Sequence, residues 1–509
     1  MPVIDTRLGR IEGKQGDGCL AFLGIPYAQA PLGELRFKPP RPYESWADTL
    51  DATAFGASAP QPVMGGEDGP LQMPVEPTDE DCLFLNIYTP GADSGARPVM
   101  FWIHGGGYVG GSGRAYNGAQ LAREHDVVVV NINYRMGALG FMHVGHLEDG
   151  VESSVNNGIL DQICALQWTR DNIAAFGGDP QNVLIFGESA GGTSTAMLLG
   201  CPAADGLFHK AIVHSPHVDL LGVGDGHIAF TNRCIERLGG DPGKNGMRTL
   251  RSATVEQLLA LMEPDIGAGE ASLGLRTPDT VSFSPAIDGA LIPAQIADTV
   301  RARGAANVPF LGGGCRHEGT LFAQIAGAPP HSEETAIALF EASGFDGQRA
   351  LAAYGTVYPD ASVTQHLAYA LTDTMFRNSM VRILDAAAES GATCWSWMCT
   401  YESDLMGGFL GATHAIELGF LWNWIASDQG MGGLAGSNPP LDLGIAMRHY
   451  WANFAYTGKP FAKGEPEWPT YDVAERSILI LDSREAWRET STARSGSIGF
   501  LTPRRNRFL

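Results

Sequence analysis

A single G-x-S-x-G occurs in this chain, Gly187-Glu188-Ser189-Ala190-Gly191. A serine hydroxyl is a weak nucleophile at neutral pH, so its setting decides whether it does chemistry. Here 183–186, Val-Leu-Ile-Phe, reads as a buried strand leading in, and 189–199 as a helix leading out. Strand, sharp turn and helix make a nucleophile elbow. Small neighbours let the backbone bend, Oγ stands clear of the sheet edge, and the helix N-terminus faces developing negative charge. Acyl transfer is the chemistry such a serine performs.

That chemistry also needs hydrogen-bond donors aimed at an oxyanion. His104-Gly105-Gly106-Gly107 follows the apolar run 99–103, and its glycines let backbone N–H groups approach closely. The N–H groups of Gly106, Gly107 and Ala190 would form the hole. A base and an orienting carboxylate complete such a site, in the chain order serine, acid, histidine. Of 13 histidines, His414 lies in a loop after a strand expected at 393–398; Glu318 follows a strand ending at Gly312. Position alone leaves both open, with His317 as a rival base beside Glu318.

Such residues need a scaffold of parallel strands. The runs 99–103 and 183–186 are continuously apolar and 127–132 is broken only by Asn131, as in strands buried on both faces. Ile159, Ile163, Leu166 and Ile173 recur at helical spacing across 156–176. Two short apolar segments, 22–27 and 83–88, lie among turn signals, and further strands are expected at 211–214, 308–312 and 393–398. Strand and helix alternate, so the fold class is α/β with a mostly parallel sheet. Two stretches, about 217–300 and 330–390, read as helical and loop-like insertions, leaving 1–509 as one domain.

Composition narrows the function classes. With 44% hydrophobic and 18% charged residues, the 509-residue chain buries a large core and is not disordered overall. A net charge of −22 without any basic run excludes a nucleic-acid partner and an anionic membrane surface. No apolar stretch approaches the ~20 residues of a membrane span, and the N-terminus lacks the apolar core of a secretion signal. Eight cysteines are spread thinly without C-x-x-C or zinc-ligand spacing, which points to free thiols and the cytoplasm.

The motifs together resemble the type-B carboxylesterase/lipase family, which includes cholinesterases and bacterial p-nitrobenzyl esterases. Residues 176–180, Phe-Gly-Gly-Asp-Pro, through 187–191 resemble its serine signature. Residues 80–90, Glu-Asp-Cys-Leu-Phe-Leu-Asn-Ile-Tyr-Thr-Pro, resemble its second signature. Similar stretches occur at 23–27 with 35–37, and at 133–135 with 139–141, so the likeness covers nearly the whole chain. It implies an α/β-hydrolase fold, hydrolysis of a small-molecule carboxylic ester, and no metal or organic cofactor. Carried over residue by residue, it makes Ser189 the nucleophile, Glu318 the acid, His414 the base, and Gly106, Gly107 and Ala190 the oxyanion donors. Ser215 matches a serine behind the triad carboxylate, and Glu417 a supporting acid.

The resemblance also implies a buried ion pair between Arg135 and Glu80. In secreted eukaryotic members the cysteine matching Cys82 forms a disulfide; the partner position here is Ala59, so Cys82 is expected unpaired. Arg316-His317 stands before Glu318, where the family more often has an aspartate next to the acid. The loop 59–80, the stretch 217–300 and 406–410 are expected to wall the pocket. Phe420, Trp422 and Trp424 either join them, favouring apolar or aromatic groups, or are core beneath the loop. Cleavage of carbamates or anilides by the same triad is the alternative reaction. A non-catalytic adhesion role is disfavoured, because those members have lost the serine that stands here at 189. Oligomeric state is not readable.

Overall fold

Seven apolar strands align in parallel because each needs cover on both faces, which flanking helices supply. The computed structural model describes residues 1–16, 18–62, 77–262, 281–304, 308–325, 331–342, 345–426, 430–461, 463 and 467–483. Across the main sheet the strands run Ile478–Leu481, Cys394–Cys399, Phe310–Cys315, Lys210–His214, Gly178–Glu188, Arg97–Ile103, Val128–Ile132, Phe84–Thr89, Leu20–Pro26 and Lys14–Gln15. The first seven run parallel to one another; the last three continue the sheet by antiparallel pairing, beginning at Val128–Ile132. A small second sheet joins Val3–Thr6, Gly9–Glu12 and Leu50–Asp51. The mostly parallel α/β class is therefore the observed one.

Strand alternation divides the interior in two. Val99, Phe101 and Ile103 point to one face, where Ile159, Ile163 and Leu166 of the helix Asn157–Asn172 cover them. Met100 and Trp102 point to the other, beneath Met447, Tyr450, Trp451 and Phe454 of the helix Leu441–Thr457. The helix Asn157–Asn172 buries its polar side as well, because Asp161 and Gln162 find partners there.

Helices Asp225–Arg237, Pro242–Ser252 and Val255–Leu259 lie in the first expected insertion. Glu333–Ala342, Gly347–Val357, Val363–Leu371 and Asn378–Glu389 lie in the second. Parts of the expected pocket walls, 63–76 and 263–280, fall outside the described residues. Among the described residues no helix is long and apolar enough to cross a membrane.

Two expectations about buried pairing meet different outcomes. Arg135 does not pair with Glu80. Its Nε and Nη2 donate to Asp161 at 2.8 and 2.6 Å, and its Nη1 donates to Lys38 O. Glu80 instead receives Arg36, whose Nε lies 2.7 Å from Oε2 and whose Nη1 donates to Leu250 O, Arg251 O and Ala253 O. A planar guanidinium takes the carboxylate that meets its fork, and Asp161 meets that of Arg135 from the neighbouring helix. Cys82 is buried and forms no disulfide among the described residues.

Candidate active site

Four strand ends along one edge of the sheet carry the site, as expected where parallel strands expose their carboxyl ends. His104 follows Arg97–Ile103, Ser189 follows Gly178–Glu188, Ser215 follows Lys210–His214, and Glu318 lies three residues past Phe310–Cys315. In-register pairing sets Ile103 beside Gly187 and His214 beside Glu188. Ser189 has φ +57° and ψ −120°, a strained conformation for a residue with a side chain. Its N–H donates to His214 O at 3.1 Å, and its carbonyl accepts from Thr193 N at 2.8 Å. A side chain at Gly191 would collide with the Ile103 carbonyl oxygen, so glycine lets the helix Ala190–Gly200 begin against the strand.

His414 and Glu318, 96 residues apart, meet at 2.5 Å between Nδ1 and Oε2. Oε1 of Glu318 accepts from Ser215 Oγ and from Cys315 N–H, each at 2.6 Å. Three donors thus fix one carboxylate, and it in turn fixes the imidazole. His317 takes a different part. It is buried, and its Nδ1 accepts Ala412 N–H at 3.2 Å while its own N–H donates to Ala412 O at 2.8 Å. Burial pushes its ring down to about 3. The neutral ring holds the loop that presents His414.

The far nitrogen of His414, Nε2, lies 3.0 Å from Glu188 Oε1. That oxygen makes no hydrogen bond among the described residues, so the contact is one of charge, off the N–H direction. Burial pushes the His414 ring down, yet the charges of Glu188 and Glu318 and the hydrogen bond to Glu318 outweigh it and raise it well above its ordinary value. For Glu188 burial dominates and raises the carboxyl, with His414 pulling the other way. Phe322 and Phe376 flank the imidazole at ring distances of 5.0 and 4.8 Å. Glu188, Phe322 and Phe376 had no place in the sequence reading. Glu188 adjoins the serine, which was its only signal; Phe376 sits in a π-helical stretch, Thr372–Arg377, that no periodicity marks.

Glu417 sits beneath, accepting from His214 Nδ1 at 3.1 Å and from Cys315 Sγ at 3.0 Å. His214 Nε2 accepts Trp451 Nε1–H, which fixes the ring with its proton on Nδ1. Burial pushes Glu417 up, but His214, Cys315 and His414 together hold it below the usual carboxylate range. Gly106 has φ +110° and a Cβ there would strike Gly110 O; Gly107 has φ +64°. Those conformations fold 104–110 into a tight turn in which Val109 and Gly110 N–H both donate to Gly106 O. Phe420, Trp422 and Trp424 are core: Trp422 packs on Trp102 and Phe186 under the sheet.

A parallel sheet with a serine on its strand–helix elbow, and a histidine–glutamate pair delivered by later loops, defines an α/β-hydrolase. Residues 1–497 match the model of the carboxylesterase family. Para-nitrobenzyl esterase of Bacillus subtilis is 34% identical, covering 94% of this chain and 95% of its own. Phenmedipham hydrolase of Pseudarthrobacter oxydans is 31% identical, covering 98% and 99%. The crystal structure of a Geobacillus stearothermophilus carboxylesterase superposes with a TM-score of 0.81 at 35% identity, covering 94% of this chain and 96% of that one. The chain belongs to the carboxylesterase family and is a carboxylic-ester hydrolase.

Proposed function

We propose that Ser189, His414 and Glu318 are the catalytic triad of this esterase and that Gly106, Gly107 and Ala190 supply its oxyanion donors. The observation that carries the reading is the 2.5 Å pairing of His414 Nδ1 with Glu318, with Nε2 of the same ring 3.0 Å from Glu188, the residue before a serine held at positive φ. With Nδ1–H bound to the carboxylate, the neutral ring carries its lone pair on Nε2, beside Glu188, and there takes the Ser189 proton. Ser189 Oγ attacks the ester carbonyl, and the three N–H groups receive the negative charge on its oxygen. His414 then protonates the departing alcohol. Water, deprotonated by the same ring, attacks the acyl-serine and releases the acid. Ser215 holds the triad carboxylate, and Glu417 keeps a second negative charge below it. No metal or organic cofactor enters these steps.

Residues 1–509 act as one catalytic unit in this reading, since the triad draws on loops that lie up to 225 positions apart and must converge. The supported substrate class is a small carboxylic ester; a cytoplasmic location remains the expectation from the free thiols. Carbamate or anilide cleavage by the same triad is the second reading, for which the likeness to phenmedipham hydrolase speaks. Ser189→Ala should abolish hydrolysis of p-nitrophenyl acetate and butyrate; normal turnover by that variant would refute the assignment. Turnover of an aryl ester, a phenylcarbamate, phenmedipham and an anilide, measured side by side, separates the two substrate readings.

A further inference from the structure

The oxyanion donors come from two pieces of chain, the turn after Arg97–Ile103 and the first residue of the helix Ala190–Gly200. Their relative position must hold to a fraction of an ångström for both to reach one oxygen. Tyr108 directly follows Gly107, and Ser194 lies one helical turn beyond Ala190. Tyr108 OH and Ser194 Oγ are 3.3 Å apart, both buried. Gln162 Nε2 donates to the same Ser194 oxygen at 3.1 Å. Tyr108 keeps this place at a cost, since its φ is +64°, a left-handed backbone that bulky residues rarely adopt. Its carbonyl accepts Gly137 N–H at 2.8 Å, and Phe141 meets its ring edge-on at 4.9 Å.

We infer that Tyr108 and Ser194 are positioning residues: their hydroxyl contact clamps the glycine turn to the nucleophile helix and so sets the spacing of the oxyanion donors. The inference rests on the oxyanion assignment above. Both residues are buried, so in this reading they act through the turn and the helix, on the charge that develops on the carbonyl oxygen. Tyr108→Phe keeps the ring and its packing on Phe141 while removing the oxygen.

The test measures kcat and KM on p-nitrophenyl butyrate, and the affinity of an alkyl trifluoromethyl ketone, whose hydrate-like adduct places an oxyanion in the hole. Tyr108→Phe and Ser194→Ala should each lower kcat about 5- to 10-fold, the worth of one buried hydrogen bond, with KM changed less than twofold. Affinity for the ketone should fall by a similar factor. The double variant should be no slower than the slower single variant, because each substitution removes the same Tyr108–Ser194 contact, Ser194→Ala also releasing Gln162 Nε2. Wild-type kcat and ketone affinity in both single variants, or losses that multiply in the double variant, would overturn the clamp. Turnover by Ser189→Ala would instead bring down the underlying reading, so the two failures are distinguishable.

Discussion

Around His414 the sign of each contact determines the pH behaviour. The role proposed for His414 as base needs the ring neutral, and Glu188 and Glu318 favour its charged form. Activity should therefore rise with pH through a midpoint above the ordinary histidine value. Removing the Glu188 charge weakens the hold on the proton, so Glu188→Gln should move the acid limb of kcat/KM to lower pH. A pH–rate profile for that variant checks the direction; an unmoved or upward-moved midpoint would remove Glu188 from this role. Ser215→Ala takes one of two donors from Glu318 Oε1. A hydrogen bond to a charged group is worth about 1.5–3 kcal/mol, and the loss should show as a lower kcat with KM near wild type. Of these residues, Ser215 was legible through the motif that follows its strand. Glu188 was not, because the variable position of G-x-S-x-G carries no requirement of its own.

Elements differ in how openly the sequence declares them. The central strands are apolar on both faces, and the glycine-marked turns at their ends announce where side chains can emerge. That combination made the elbow and the 104–107 turn readable without any contact information. Pairings across the fold were less open. Arg135 chose Asp161 because a helix brings that carboxylate to its fork at zero exposure, a fact of packing that spacing does not encode. Trp422 and Trp424 follow the base in sequence, yet the short helix Ile416–Leu421 turns them under the sheet. The aromatic lining of the imidazole comes instead from Phe322 and Phe376 on other helices. The Arg135–Asp161 pair supports a prediction at this scale. Removing one partner strands a buried charge at a cost of about 3–5 kcal/mol, so Arg135→Met should lower the urea midpoint markedly, while Arg301→Met at an exposed pair should leave it nearly unchanged.

Across the whole molecule, buried histidines couple folding to pH. Burial pushes His104, His125 and His143 down to about 4 and His317 to about 3. Between those values and the unfolded value of about 6.5, the unfolded chain binds protons that the folded chain does not. Stability from these groups is thus full above pH 6.5 and is lost as pH falls toward 4. The raised ring of His414 acts oppositely, and its contribution fades only at higher pH. Melting temperature should therefore climb from pH 4.5 to 6.5; a flat or falling profile would contradict the burial of these rings in the folded chain. The helices within 225–259 and 333–389 were legible in the lack of strand runs there. Their contribution to substrate choice was not, because it depends on which side chains face the serine.

The central claim is that one serine, at position 189, carries the acyl group. Reaction with a p-nitrophenyl organophosphate, followed by intact-mass and peptide mass spectrometry, tests it most directly. One phosphoryl group per chain should appear on the peptide containing Ser189, with one equivalent of p-nitrophenol released and esterase activity lost in proportion. The Ser189→Ala protein should gain no label. Stoichiometric label on another residue, or inactivation of the enzyme without label at Ser189, would contradict the account.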